Sequence, residues 1–440
     1  MTSSWLKSCG VLVALLLAVS SAISAHADDA VFSALYSFEV ADPNTGASQL
    51  GSQPDTRPVL GPNHSVYGMT YTGGVNGNGV IYRFDLQSRK YRVLHTFAAL
   101  DANGANDDGA NPGVALTRGP DDVFYGMASF GGTYGNGTIF KITASGKFTV
   151  LHAFSALDSK LHNEDGANPL RSVVIGDDGN LYGTTRLGGL NTCGPKSSGC
   201  GVAWVMTRWG AFSVLHQFQP TEGHAASMLR ARDGFFYGCA VWPFAAAGSG
   251  ILYRMAPSGN HFEELYRFTA VDGNGNNMDG ANCFEPLVEK WPGVFYGAAY
   301  AGGPNGNGVV FRYSLAIPRA VEIVHAFSAV NASGENPDGA NPYARLTRGN
   351  DGALYSTASF GGAHGNGTVY RIHRDDHFEV LHTFSAANPT TGSNVDGVEP
   401  DYGVLLDEDD SLIGMADYGG NGSVAGDIGN GTLYRLKLEH

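Results

Sequence analysis

Charge is scarce in this chain. Only 15% of its 440 residues are Asp, Glu, Lys or Arg, and the 27 basic residues are outnumbered by 41 acidic ones, for a formal net charge of −14. No basic cluster occurs. That excludes binding to a nucleic-acid backbone or an anionic membrane, because both are recognised through grouped Lys and Arg. The surplus acid itself speaks to solubility. Long apolar runs are also lacking, apart from Val11 to Val19, which is too short to span a bilayer. With Lys7 before it and Ala25-His26-Ala27 after it, that run reads as a secretory signal peptide over residues 1–27. A buried N-terminal helix is the alternative. The mature chain is therefore expected to be exported, to the periplasm or beyond, with no membrane span. Cysteine is sparse too: there are five, and Cys9 leaves with the leader. The remaining four allow three pairings in a compartment that permits disulfides. Cys193 and Cys200 bracket a short Gly/Pro/Ser loop and are the favoured pair, which leaves Cys239 with Cys283; buried free thiols are the alternative. None of these cysteines has zinc-site spacing. Glu439 and His440 resemble a tag remnant, so the folded domain is expected over residues 28–438.

What the chain has in abundance is glycine, 62 residues, and a repeat. A tetrapeptide Leu-His-x-Phe or a close variant ends at Phe38, Phe97, Phe154, Phe218, Phe268, Phe327 and Phe384. The mean spacing of about 58 residues belongs to stacked or radial repeat architectures. Within residues 337–384 the pattern reads as four short strands. A Pro-Asp-Gly-Ala-Asn-Pro cluster precedes strand one, from Tyr343 to Arg348. The Gly349-Asn350-Asp351-Gly352 turn leads to strand two, ending at Phe360. A glycine loop leads to strand three, Thr368 to His373, and strand four ends at Phe384. A lone four-stranded sheet exposes an apolar face and must pack on neighbours. Radial packing of such sheets makes a β-propeller.

The Tyr-Gly mark of strand two falls at Tyr67, Tyr125, Tyr182, Tyr237, Tyr296, Tyr355 and Ile413. The glycine before strand three falls at Gly79, Gly137, Gly201, Gly250, Gly308, Gly367 and Gly431. The chain begins with a fourth strand (Val31 to Phe38) and ends after a third. The expected fold is thus all-β: a seven-bladed propeller whose N-terminal strand completes the last blade, which removes open edges. An open solenoid is the alternative, but its ends would resemble caps rather than complementary halves.

The combined run Asp-Gly-Ala-Asn-Pro, Leu-Tyr-Gly, Gly-Gly-x-x-Gly-Asn-Gly-Thr-Val-Tyr-Arg-Ile and Leu-His-x-Phe resembles the bacterial choice-of-anchor GloVer tandem-repeat proteins, over residues 31–438. The resemblance implies a surface or secreted propeller and little about activity. The C-terminal sorting anchor such proteins often carry is not in this sequence, which points to release, or to a chain cut short of its anchor.

Repeated residues serve the scaffold first. The histidines His95, His152, His216, His325 and His382 fall one per blade, too far apart for one site, and are expected to hydrogen-bond between blades. Asp108, Asp165, Asp279 and Asp338 of the Asp-Gly-Ala-Asn loops suit Asx-turns; calcium binding is the open alternative, and no other cofactor is expected. Function is sought in what varies. Counting back from the Tyr-Gly mark finds Arg171, Glu285, Tyr343, Arg345, Asp401 and Tyr402 at the starts of inner strands. A second row, at the ends of second strands, holds Tyr71, Arg186, Tyr300 and Asp417. Both rows are expected to ring the channel mouth on the face with the longer loops. Blade four departs most: Glu222-Gly223-His224-Ala225-Ala226 replaces the turn motif, and Trp242 and Phe244 stand where other blades have glycines. Aromatic rings in such a loop suit sugars.

Two function classes follow. A carbohydrate-active enzyme would be a polysaccharide lyase first, with arginines (Arg171, Arg186, Arg345) on a uronate carboxylate. His224, His162, Tyr71, Tyr300 or Tyr343 would then move protons. A hydrolase would instead use two carboxylates among Glu285, Asp401 and Asp417. A non-catalytic glycan or surface-protein binder is the other class. In either, Trp242, Phe244, Arg345, Glu285, Asp401, Tyr402 and Asp417 would contact the ligand, a polysaccharide or oligosaccharide, and the protein would be a monomer.

Overall fold

The computed structural model describes residues 30–438, apart from 43, 114, 172, 194–197, 242–248, 391 and 421–430. The leader region, Trp242, Phe244 and the last two residues lie outside the described residues. Seven antiparallel sheets follow one another around a ring, each with four strands ordered from the channel outward; blade three carries one further short strand and, in its loop, a pair of two-residue strands, Thr192–Cys193 and Ser198–Gly199. The first blade runs Val59–Leu60, Ser65–Thr70, Val80–Asp85 and Tyr91–Thr96. The last joins Val404–Leu406, Leu412–Ala416 and Thr432–Leu438 to the N-terminal strand Ala30–Ser37, with Ala30 directly opposite Leu438. Helix is confined to a single 3-10 turn at Pro120–Asp122 among the described residues.

The core lies between the blades. Seven apolar clusters occupy the seven blade interfaces. At one of them Tyr67, Met69 and Ile81 of blade one meet Phe124, Phe140 and Ile142 of blade two, all fully buried. No blade could hide its own face, so folding and ring assembly are one event.

The repeated tetrapeptide has a specific mechanical role. In every blade its first residue, Leu or Val, is the unpaired residue of a β-bulge in the outermost strand: Leu94, for example, falls between the pairs Ile81–His95 and Tyr82–Val93. The same slip recurs at Leu35, Leu151, Leu215, Leu265, Val324 and Leu381. A bulge re-aims the residues after it. Each histidine then stacks flat on an aromatic ring of the next blade, with His95 on Phe148 at 3.8 Å and His325 on Phe378 at 3.6 Å. Its Nε2 bonds the acidic residue of the following turn motif, 2.9 Å from His95 to Asp108 and 3.1 Å from His382 to Asp396, with Glu222 taking the place of Asp for His216 at 2.8 Å. That Asp also accepts the backbone N–H after the tetrapeptide Phe, as Asp165 does from Ser155. In blade five's entry Tyr266 replaces histidine and donates to Asp279 at 2.6 Å. The repeated His and Asp are thus partners within the scaffold.

The motif Asn sits in the left-handed region, with φ of 51° at Asn111, 53° at Asn168, 61° at Asn282 and 55° at Asn341, a conformation Asn tolerates better than most residues. The motif Pro then seats against the glycine before strand three of the preceding blade. A Cβ on Gly137 would lie 2.6 Å from Pro169 Cδ, which explains why these two positions go together. The regular inner strands are short in most blades. Blade six pairs at the Ala340–Phe360 bridge and again at Thr347–Arg348, not from Tyr343 as its sequence suggests; between them the Ala344 and Arg345 carbonyls face the Ser356 hydroxyl and not a ladder N–H. Blade four lacks the Asn–Pro step, and its inner strand runs the full length of His224–Arg230.

Candidate functional site at the channel mouth

Two kinds of connection set the two faces of the ring. Tight turns join first to second and third to fourth strands on one face. The glycine loops and the blade-to-blade links occupy the other, where the inner strands begin. At that opening the expected rows do come together.

Arg171 reaches across the channel from blade three. Its Nη1 lies 2.6 Å from Glu285 Oε1 of blade five, and its Nη2 donates to the Tyr343 hydroxyl of blade six at 2.7 Å. The guanidinium also lies 5.0 Å from the centre of the Tyr343 ring. Burial opposes its charge, but Tyr343 and Glu285 more than offset that and hold it protonated. The backbone of Arg171 has φ of 95°, a conformation costly for any side-chain-bearing residue, at the point where the chain turns this arginine inward. Arg345 shares a narrow throat with Arg57, Arg171, Glu285 and Tyr402.

Carboxylates gather on the side of blades seven and one. Asp55 accepts a hydrogen bond from the Tyr402 hydroxyl. Burial pushes Asp55 up to about 6, against the pull of Tyr402 and Arg171. Burial, with Glu399 and Asp55 adding, pushes Asp401 to about 7. Asp417 is held well above the usual carboxylate range by burial and by Asp401, Asp55 and Glu399; it is 7% exposed and its Oδ1 has no partner among the described residues. Glu399 takes the place of the motif Asn, with φ of 58°, and is also pushed up by burial. Tyr71 lies beside this group, its hydroxyl pKa raised by burial and by Asp55.

Asp401 yields a pH prediction with a definite sign. Its folded pKa lies above its unfolded value, so the folded state binds the proton more tightly and stability falls as pH rises from about 4 through 7. The carboxylates held below their usual values, such as Asp165 and Asp396, act only at lower pH. Asp401→Asn should therefore melt within ~1 °C of the parent at pH 5 and at least ~2 °C above it at pH 8, after discounting for channel water. Equal melting shifts at both pH values would contradict this assignment.

On the opposite side of the mouth, blades three to five leave a cleft of about 180 Å³. Its floor is Ala225 and Ala226, where other blades carry larger residues, and Leu170, Val241, Phe284, Tyr343, Arg171 and Arg186 line it. The Arg186 side chain is exposed. Tyr300 packs on the far side of these rings, 5.7 Å from Tyr343 and 6.0 Å from Phe284. The two histidines expected here do not line the cleft. His224 is buried, its Nδ1 3.1 Å from the Arg186 carbonyl, and burial lowers its pKa. His162 sits on the outer link, bonded to Thr192 Oγ1 at 2.9 Å. Both disulfides, Cys193–Cys200 and Cys239–Cys283, are formed. The second has a clear origin: Cys283 occupies the motif Pro position and ties blade five to the second strand of blade four.

Arg57 and Asp55 belong to the same row of the repeat, in blade one. The same step back from Tyr67 gives Asp55-Thr56-Arg57. Glu399 was also legible as the one acidic substitute for the motif Asn.

Comparison with curated protein sequences finds no match. Among solved structures the chain is similar to a gluconolactonase of Xanthomonas campestris, at 12% identity over 95% of this chain and 93% of that one, with a TM-score of 0.41. It is also similar to TolB from Acinetobacter baumannii, at 12% identity over 68% and 58% of the two chains, with a TM-score of 0.37. A protein provisionally assigned as a 6-phosphogluconolactonase of Bacteroides uniformis gives 12% identity over 81% and 94%, with a TM-score of 0.47. At such identities and TM-scores, none brings an activity to this chain. The family described as the Gloeobacter/Verrucomicrobia repeat matches residues 24–195 and 192–395. With both matches falling on the propeller blades, this chain belongs to the Gloeobacter/Verrucomicrobia repeat family.

Proposed function

We propose that this protein is an exported glycan-binding propeller that takes an acidic saccharide unit in the cleft of blades three to five. One observation carries the reading: Ala225 and Ala226 open a hollow flanked by two arginines, Arg171 and Arg186, and by the rings of Phe284 and Tyr343. Apolar walls with few placed polar groups are the usual build of a small-molecule site, and this one is smaller than the roughly 300–1,000 Å³ typical of them. That size suits one sugar ring at a time. Arginine pairs a carboxylate in two-point geometry, which selects uronate-type units over neutral ones. Binding is favoured over lyase chemistry because, among the described residues, the cleft is lined by no histidine or carboxylate. His224 is buried against a carbonyl, and the Tyr343 hydroxyl pKa is raised by burial.

The test is calorimetric titration of the mature protein with uronate-containing and neutral oligosaccharides. Acidic ligands should bind and neutral ones should not. Arg186→Ala should weaken binding about tenfold or more, as expected for a lost charge-assisted hydrogen bond. Unchanged affinity in that variant would overturn the placement. A second reading, glycoside hydrolysis, is favoured by Asp401, a carboxyl kept protonated close to neutral pH as a general acid must be. Release of reducing ends that stops in Asp401→Asn would establish it.

A further inference from the structure

The throat below the mouth is a separate place. Arg57, Arg171 and Arg345 line one narrow cavity, and Glu285 is the only carboxylate among its lining residues. Arg171 already engages that carboxylate and the Tyr343 hydroxyl. Arg57 donates to Thr347 Oγ1 at 3.0 Å, a neutral partner. Three guanidinium groups thus line a confined space with one carboxylate in its wall, while Asp55, which also feels Arg171, is engaged by the Tyr402 hydroxyl. Burial depresses the pKa of both Arg57 and Arg345, Arg345 adds to the depression of Arg57, and Glu285 is the anion that relieves them. Crowded cations taken out of bulk water cost several kcal/mol unless something pairs them. The open volume is about 20 Å³, room for one particle the size of a water molecule.

We propose that this throat holds a small inorganic monovalent anion, of chloride or bromide size, bound between Arg57 and Arg345. The site lies apart from the saccharide cleft, although Arg171 borders both. The anion would neutralise the excess charge and lock the inner strands of blades one and six, already joined by the Arg57–Thr347 bond. It is too small a space for a sugar carboxylate with its ring attached.

The test uses the mature protein at constant ionic strength, with sodium gluconate exchanged stepwise for sodium bromide or chloride. A saturable rise in melting temperature is expected with either halide, together with a bromide anomalous peak in the throat of soaked crystals. Arg345→Met, which keeps the side-chain length, should weaken the half-saturating halide concentration at least tenfold. Glu285→Gln removes the competing carboxylate and should lower that concentration several-fold, so a misfolded arginine variant does not leave the question open. No halide-specific shift and no anomalous peak would overturn the proposal. So would a shift given by formate or acetate but by neither halide, which would assign the throat to a carboxylate group instead.

Discussion

A chain that begins at residue 40 should lose its cooperative thermal transition, or melt at least ~15 °C below the intact protein. The reason lies in the seam of the ring. Residues Ala30–Ser37 supply the whole outer strand of blade seven, paired with Thr432–Leu438. Their side chains serve two interfaces at once. Leu35 and Phe38 are buried against blade one, and Phe32 packs on the blade six side, stacked 4.4 Å from His382. Burial of each such side chain contributes about 1.5–3 kcal/mol. Three of them, with the strand pairing, approach the whole stability of an ordinary domain, roughly 5–15 kcal/mol. A synthetic peptide covering residues 29–39 should restore much of the melting temperature when added back. Melting of the truncated chain within a few degrees of the intact one would mean that the ring closes without this strand.

Loss of the Cys239–Cys283 bridge should be the next largest effect. The two cysteines are 44 residues apart, and loop-closure entropy then contributes about 4 kcal/mol, against about 2 kcal/mol for Cys193–Cys200, which are 7 apart. The bridge also replaces the proline that elsewhere seats one blade against the glycine of its neighbour. Substituting Cys239 and Cys283 together by Ala should lower the melting temperature by about 5 °C at the usual unfolding entropy per residue. The Cys193/Cys200 double substitution should cost about half as much. Equal losses in the two would show that the inter-blade position adds nothing.

The fold was legible because the same information is written seven times over, and the starting half-blade and final three strands fit each other. The bulge was not legible, since a Leu-His pair looks the same in a regular strand and in a bulged one; only the pairing of Ile81 with His95 and Tyr82 with Val93 reveals it. The length of the inner strands was misread for a similar reason. The run after Asn-Pro suggests strand, but in blade six the Ser356 hydroxyl meets the Ala344 and Arg345 carbonyls that a ladder would use. At the mouth, removing the repeat pattern leaves residues that the structure brings near one another, Arg171, Glu285, Tyr343 and Arg345 among them. Their partners were beyond reach, because Arg171 meets Glu285 and Tyr343 across 114 and 172 residues of sequence. The same subtraction pointed to His224, whose place at the start of an inner strand says nothing about burial. The hollow above Ala225 and Ala226 was visible only as two small residues in a row that others fill.

The pairing of Ala30 with Leu438 has a practical consequence. The third strand of a blade runs away from the glycine-loop face and the fourth begins where it ends, so Ala30 and Leu438 both lie on the tight-turn face. A bead, a surface or a fused domain joined at either residue would therefore leave the channel mouth, with its arginines and its cleft, pointing outward and unobstructed. Protein immobilised at Ala30 or at Leu438 should present the same face, and two copies tethered on one surface would hold their channel mouths in parallel.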